Sequence, residues 1–356
     1  MTTATRNAMQ RSLCTLSHQE PDKVPLFLGL SMHGAQEAGV PLEKYFLQAR
    51  YVIEGQCRLQ EKYHGDALNP VLYSALETEA WGGTTIFRND GPPQCGAPVI
   101  RMPEQIDSLR VPSLDSAEGL QRELEIIVAL KQRYREEIPM IGMVISPFSV
   151  PIMQMGFGPY LELLYLQPER WEHLMQLNTE FCIQWANAQL EAGATAICYA
   201  DPMASTGNIP RELYLRTGYK VLKNVLSGVH GSVAIHLASG RGLEIAEELI
   251  ASGVAGIGVS GLESLATWKS LAKGRVAVMG NLNGITMRRW TPAQAETEVR
   301  RAIAAAGPGG GFILSDNHGE IPLQVSEEVL IAMREAVDRW GRYPLDWIEN
   351  EAGSEN

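Results

Sequence analysis

Ten residues in this chain have side chains suited to acid–base or ligand chemistry and lie where apolar segments end: His33, Glu77, Glu79, Asp201, His236, Asn281, Asn283, Asp316, Asn317 and His318. They are acids, amides and imidazoles, with scarcely a lysine or arginine among them. Such groups can move a proton, orient a neutral substrate or, with two imidazoles and a carboxylate, hold a cation. A phosphorylated substrate is disfavoured. The loops that would carry a phosphate site in a barrel enzyme hold Asn281, Asn283, Asp316 and Glu320 and no lysine. Each residue also has a structural reading. His33 beside Gly34 can shape a turn, His236 can be a core histidine, and Asn281 and Asn283 can be turn residues. Glu77 and Glu79 share a face if their segment is extended, and a solvated pair there would carry no chemistry.

The elements that must position these groups follow from hydrophobic period. Gly311-Phe-Ile-Leu-Ser315 reads as a buried parallel strand that runs into Asp316, Asn317, His318 and Glu320. The same pattern recurs at Val24–Leu30, Asp66–Tyr73, Pro139–Ile145, Thr195–Ala200, Ser232–Leu237, Val254–Val259 and Val276–Gly280. Helical segments separate the strands. They include one long amphipathic helix carrying Leu42, Tyr45, Phe46, Ala49, Val52 and Ile53, one with Asp115 and Glu118 as a capping box, and one opened by Thr291-Pro292. Eight strands alternating with helices predict a single-domain α/β protein, a (β/α)8 TIM barrel. A short helix near 6–16 is expected as an N-terminal extension, and the Gly- and Pro-rich stretch at about 82–115 as an excursion outside the barrel, with room for a small hairpin. In a barrel all the β-to-α loops open on one face, which brings the ten residues together. The loop 146–156, with Phe148, Met153 and Met155, and Trp81 can supply an apolar wall for a substrate, or can equally be packing.

Bulk composition narrows the partners. The chain has 356 residues, is 45% hydrophobic and 20% charged, and carries a formal net charge of -11. With no basic block to offset that charge, neither nucleic acid nor an anionic membrane is an expected partner. Five cysteines without a C-x-x-C pair, and no signal-like start, predict a reduced cytoplasmic protein.

Several stretches together resemble the uroporphyrinogen decarboxylase superfamily: Pro21-Asp-Lys-Val-Pro25, Gly193-Ala-Thr-Ala-Ile leading to Asp201-Pro202, Ala234-Ile-His236, Val278-Met-Gly-Asn281, and Gly311-Phe-Ile-Leu-Ser with His318-Gly319. The resemblance implies a (β/α)8 barrel and one of two activities, decarboxylation in the haem pathway or corrinoid-dependent methyl transfer. The decarboxylases hold their polycarboxylate tetrapyrrole with an R-x-x-x-R-Y segment after the first strand. Here that segment reads Ser31-Met-His-Gly-Ala-Gln-Glu37, with no arginine. The methyltransferases that use a thiol bind zinc through His-x-Cys and a later cysteine. Here His236 is followed at the second position by Ala238, and His318 stands where the later cysteine would be, so the soft ligands are absent. His236 and His318, completed by Glu77, Glu79 or Asp201, remain a possible site for a harder metal.

The resemblance therefore implies a methyltransferase that takes a methyl group from a small methylated substrate, with a methoxylated aromatic preferred. The acceptor is the corrinoid of a separate carrier protein. His318 is expected as the general acid, with His236, Asp201, Glu77 and Glu79 as further catalytic groups. His33, Phe148, Met153, Met155, Asn281, Asp316 and Asn317 are expected to bind substrate. The alternatives are transfer from methylcobamide to a thiol or tetrahydrofolate, uroporphyrinogen decarboxylation, and a barrel that binds ligand without turnover.

Overall fold

The computed structural model describes residues 5–352. Among the described residues nine strands form: β1 (Leu26–Phe27), β2 (Thr85–Ile86), β3 (Gln94–Cys95), β4 (Ile141–Ile145), β5 (Ala196–Ala200), β6 (Ser232–His236), β7 (Gly256–Gly258), β8 (Ala277–Leu282) and β9 (Phe312–Asp316). Seven of them make one sheet in the order β1-β9-β8-β7-β6-β5-β4, with every neighbouring pair parallel. β2 and β3 pair as a small antiparallel hairpin within the 82–115 excursion.

The sheet curls into a TIM-barrel-like ring, and the segment expected as the second strand spans the gap between β1 and β4. Asp66 N–H donates to the Leu26 carbonyl (2.8 Å), Leu68 N–H to Pro139 (2.9 Å), and Ile141 N–H to Leu68 (3.0 Å). Beyond Leu68 the segment peels away. The backbone groups this orphans are met by buried side chains. Gln189 exchanges two 2.9 Å bonds with the N–H and C=O of Met143, Glu77 accepts from Ile145 N–H (2.7 Å), and Glu123 accepts from Leu72 N–H (3.2 Å). A buried N–H without a partner is costly, which explains why an amide and two carboxyls lie in this seam.

Below the ring, the helix Ala8–Leu16 ties the chain start to the seam. Arg11 bonds both oxygens of Asp22 (2.8 and 2.7 Å) and pairs with Asp66, whose other oxygen accepts from Leu26 N–H (2.9 Å). The glycines at 309, 310 and 311 all have left-handed backbone (φ 77°, 68° and 66°), which turns the chain sharply into β9.

Three helical expectations change. The long helix is three, His33–Ala38, Leu42–Phe46 and Ala49–Tyr63, broken where Gln48 is extended (φ −135°, ψ 111°). The apolar spacing runs through the break because Phe46 and Val52 both face the core. Asp115 lies in a short 3₁₀ turn, and the next helix starts at Glu118 after Ala117, with no side-chain cap. The loop after β4 contains a helix, Val150–Met155. Thr291 does cap its helix in a reciprocal box with Gln294.

Exposure alternates along the strands in a way that fixes which side faces the centre. A Cβ on Gly142 would run into Gln189 of the outer helix Pro168–Ala192 and stand 3.0 Å from Ile197 Cδ1, so Gly142 and Ile197 face outward. Their neighbours Met143 and Cys198 therefore face the barrel centre. Yet Met143, Cys198 and Ala234 are part-exposed, whereas the outward Gly142, Ile197, Val233 and Ile235 are buried.

Candidate active site

Two strand ends and the loops beside them build the site. β6 delivers His236 facing inward, and Gly258 of β7 leaves room for the ring: a Cβ there would collide with Cδ2 of His236 and stand 3.0 Å from its Cγ. Ala238 and Ser239 adopt left-handed backbone (φ 46° and 73°), and Ala238 N–H donates back to His236 Nδ1 (3.0 Å). That bond leaves the ring proton on Nε2. Burial, with the proximity of a second imidazole, His318, pushes the His236 pKa down to about 4, so the imidazole is neutral at pH 7.

The turn after β9 supplies the other half. Asp316 Oδ1 accepts from the N–H groups of His318 (2.7 Å) and Gly319 (2.8 Å), folding the turn so that Gly319 meets His236; a Cβ on Gly319 would be 3.6 Å from His236 Cε1. Asn317, with its amide nitrogen toward His318, donates to His318 Nδ1 (2.7 Å) and the Leu282 carbonyl (3.0 Å) and accepts from Gly261 N–H (3.0 Å). His318 is half-buried, and burial lowers its pKa as well. It is thus a neutral imidazole held by Asn317, better suited to donating a hydrogen bond than to acting as the expected proton donor.

The acids nearby are better poised. Burial pushes Asp316 up to about 6 and Glu320 up to about 7. Glu320 accepts from the Ser31 hydroxyl at the end of the first strand segment. Among the leading influences on Asp316, Glu320, His236 and His318 there is no guanidinium or ammonium. Asn281 donates to the carbonyls of Ser260 (3.0 Å) and Glu263 (3.2 Å), and its Oδ1, like Asp316 Oδ2, has no partner among the described residues.

His236, His318, Asp316, Asn317 and Asn281 are therefore the expected site residues that the β6–β9 strand ends bring together. Others do different work. Asp201 Oδ1 accepts from Ser149 (2.6 Å), and its charge acts on Tyr160, Tyr199, Tyr214 and Cys182, so it sits in the layer between sheet and outer helices; burial raises it to about 6. Glu77 lies on the helix Ala75–Ala80, not in an extended segment, and its carboxyl is spent on Ile145. Glu79 on the same helix accepts from Tyr73 (3.1 Å) and from Thr85 of the hairpin. Phe148 is packed edge-on against Tyr160 and Trp171, with ring centroids 6.1 and 6.3 Å away; Met155 is buried and Met153 part-buried against the same core. Trp81 packs on Phe181. Their apolar surfaces are used in the core rather than as a substrate wall. His33 is buried in the helix that follows the first strand segment, neither ring nitrogen has a hydrogen-bond partner among the described residues, and burial lowers it to about 4. Asn283 caps the helix Gly284–Met287.

Glu320 and Ser31 were missed as a pair. Glu320 stands in the same polar run as His318, but Ser31 lies 289 residues away, and nothing local links them.

Zinc does not fit this donor set. Because Nδ1 of His236 and of His318 each accepts a hydrogen bond, both rings carry their proton on Nε2 and neither offers a free lone pair; the three carboxylates suggested as completing ligands are committed elsewhere, and among the described residues no three His, Cys, Asp or Glu side chains gather as a cation site.

A parallel barrel with ionisable side chains at the carboxyl ends of its strands has the architecture of a barrel enzyme. The chain belongs to the uroporphyrinogen decarboxylase (URO-D) family, whose profile matches residues 7–340. Among its relatives, the uroporphyrinogen decarboxylase of Ralstonia pickettii is 27% identical over 301 residues (80% of this chain and 81% of that protein). That of Herminiimonas arsenicoxydans is 26% identical over 284 residues (76% and 77%). The fold is similar to that of a methyltransferase from Methanosarcina mazei, with a TM-score of 0.83 at 20% identity, covering 94% of this chain and 99% of that one. Among the described residues no helix is long and apolar enough to cross a membrane.

Proposed function

We propose that this protein is a methyltransferase that removes a methyl group from a small uncharged substrate, with a methoxylated aromatic preferred, and passes it to the corrinoid of a separate carrier protein. The observation that carries this is the Ser31–Glu320 pair. Where the decarboxylase pattern has arginines for a polycarboxylate, this chain has a hydroxyl bonded to a carboxyl, with Asp316 acting on the same carboxyl. A polyanion would be repelled there, whereas a neutral ether would not.

The leaving oxygen needs a proton as the C–O bond breaks. Glu320, raised to about 7 by burial, is the donor matched to neutral pH, and Asp316 is the next. The Nε2–H groups of His236 and His318 orient the oxygen. For the acceptor, Leu262 (66% exposed) and Ile285 (46% exposed) suit an apolar macrocycle over the mouth, because a Cβ on the glycine preceding each would stand 3.0 Å from the Asn317 side-chain amide and 3.4 Å from His318 Nδ1, respectively.

Decarboxylation is the second reading, favoured by the names of the relatives at 25–27% identity. One experiment separates the two. Purified protein is incubated with a reduced corrinoid carrier protein and a panel of methyl ethers, amines and thioethers, and in parallel with uroporphyrinogen. Methylation of the carrier is expected. Carbon dioxide release from uroporphyrinogen, with no methylation from any donor, would reject the methyl-transfer reading.

A further inference from the structure

The centre of a parallel barrel is ordinarily filled by layers of bulky branched side chains. Here one inward row, read across the strand register, is Met143, Cys198, Ala234 and Gly256. Two of the four have no more than a methyl group, and a third adds only a thiol. The nearest atoms a Cβ on Gly256 would meet are Ala234 Cβ (3.5 Å) and the Met279 thioether (3.6 Å), ordinary contact distances, so even that position has room for a methyl group. The partial exposure of Met143, Cys198, Ala234 and Met279 in mid-strand agrees: a solvent-sized space reaches these four residues, whose place in the strand period turns them toward the axis. The inward row above contains His236, and the charge of Asp316 acts on the Cys198 thiol from across the barrel. The hollow is therefore apolar and thioether-lined at depth and ionisable at its top.

We propose that this hollow receives the apolar body of the substrate, and that Met143, Cys198, Ala234 and Met279 set its permitted size. The ligand class is an uncharged compound with a compact apolar body and one polar atom, which stops beside His236 and Asp316. Only the identity of the reacting end rests on the methyl-transfer reading. A charged or highly hydroxylated body is excluded, because none of these four side chains offers it a strong hydrogen bond.

The test is calorimetric titration of the whole protein with methoxybenzene, without carrier protein. The wild type is expected to bind saturably, and Ala234→Leu, which fills the hollow, to lose affinity at least tenfold while keeping its circular dichroism spectrum. Met143→Ala, which adds room, keeps the test decisive if the filling variant does not fold: it should bind 4-tert-butyl-methoxybenzene several-fold more tightly than the wild type does. No saturable binding to the wild type, equal affinity in Ala234→Leu, or no gain for the bulkier probe in Met143→Ala would overturn the proposal. Lumen binding with no methyl transfer would instead overturn the functional reading and leave this one standing.

Discussion

Gly258 lies beneath the imidazole of His236, on the neighbouring strand and in register with it, where any side chain would collide with the ring. The glycine is what lets a histidine at a strand end lean into the barrel rather than stand over its rim. Gly258→Ala should therefore displace His236. We expect a stability loss of about 1–3 kcal/mol from overpacking and a larger proportional fall in turnover. Urea unfolding and initial rates on the same preparation check both.

Glu320 should impose the alkaline limb of the pH–rate profile. As an acid raised to about 7, it donates below that pH and is ionised above it, so turnover should fall as pH rises past 7. Glu320→Gln keeps the bond to Ser31 and removes the proton. It should lower kcat by ~10² to 10⁴ and flatten that limb, and an unchanged profile would remove Glu320 from the mechanism.

The seam carboxyls make stability depend on pH. Burial raises Glu77 and Glu123 each to about 8. Between the ordinary glutamate range and pH 8 the folded chain holds protons that the unfolded chain releases, so raising pH favours unfolding. The contribution is fully present below about 4.3 and is lost on the way to 8. The slope should approach about 1.4 kcal/mol per pH unit for each proton held. Denaturant midpoints at pH 5, 6.5 and 8 would measure it, and Glu123→Gln should make the fall shallower.

Arg11 is the cation that pairs with two buried aspartates beneath the barrel. Arg11→Met preserves much of the packing and leaves Asp22 and Asp66 without their cation. A loss of about 3–5 kcal/mol is expected, seen as a lowered unfolding midpoint, and Asp66→Asn should weaken the same tie at the Leu26–Asp66 seam.

Much of the architecture was legible because it is local. Phe312-Ile-Leu314 before a polar run, Thr291-Pro292 before a helix and the glycines at 309–311 before β9 each carry their own signal within a few residues. The hairpin in the 82–115 excursion followed from its glycines and prolines. The break at Gln48 was not legible, since apolar spacing continues across it. The second strand was overextended for a related reason: Asn69–Tyr73 has a strand's apolar content, but the partner that would hold it is replaced by Gln189, Glu77 and Glu123.

By itself, the sequence determined that parallel strands alternate with helices, that polar groups cluster where β6, β8 and β9 end, and that cations are scarce there. Those properties depend on period and residue type, which each short segment states alone. Only the tertiary structure decided which polar groups share the mouth. Strand period separates two faces without saying which one is inside, so Asp201 and His236 read alike until β5 and its outer helix showed one turned toward Ser149 and the other toward the axis. The assignment of Glu77 to Ile145, Glu320 to Ser31, and small side chains to one inward row joins residues far apart in the chain. Contacts of that range are fixed by closure of the barrel, a condition no local stretch contains.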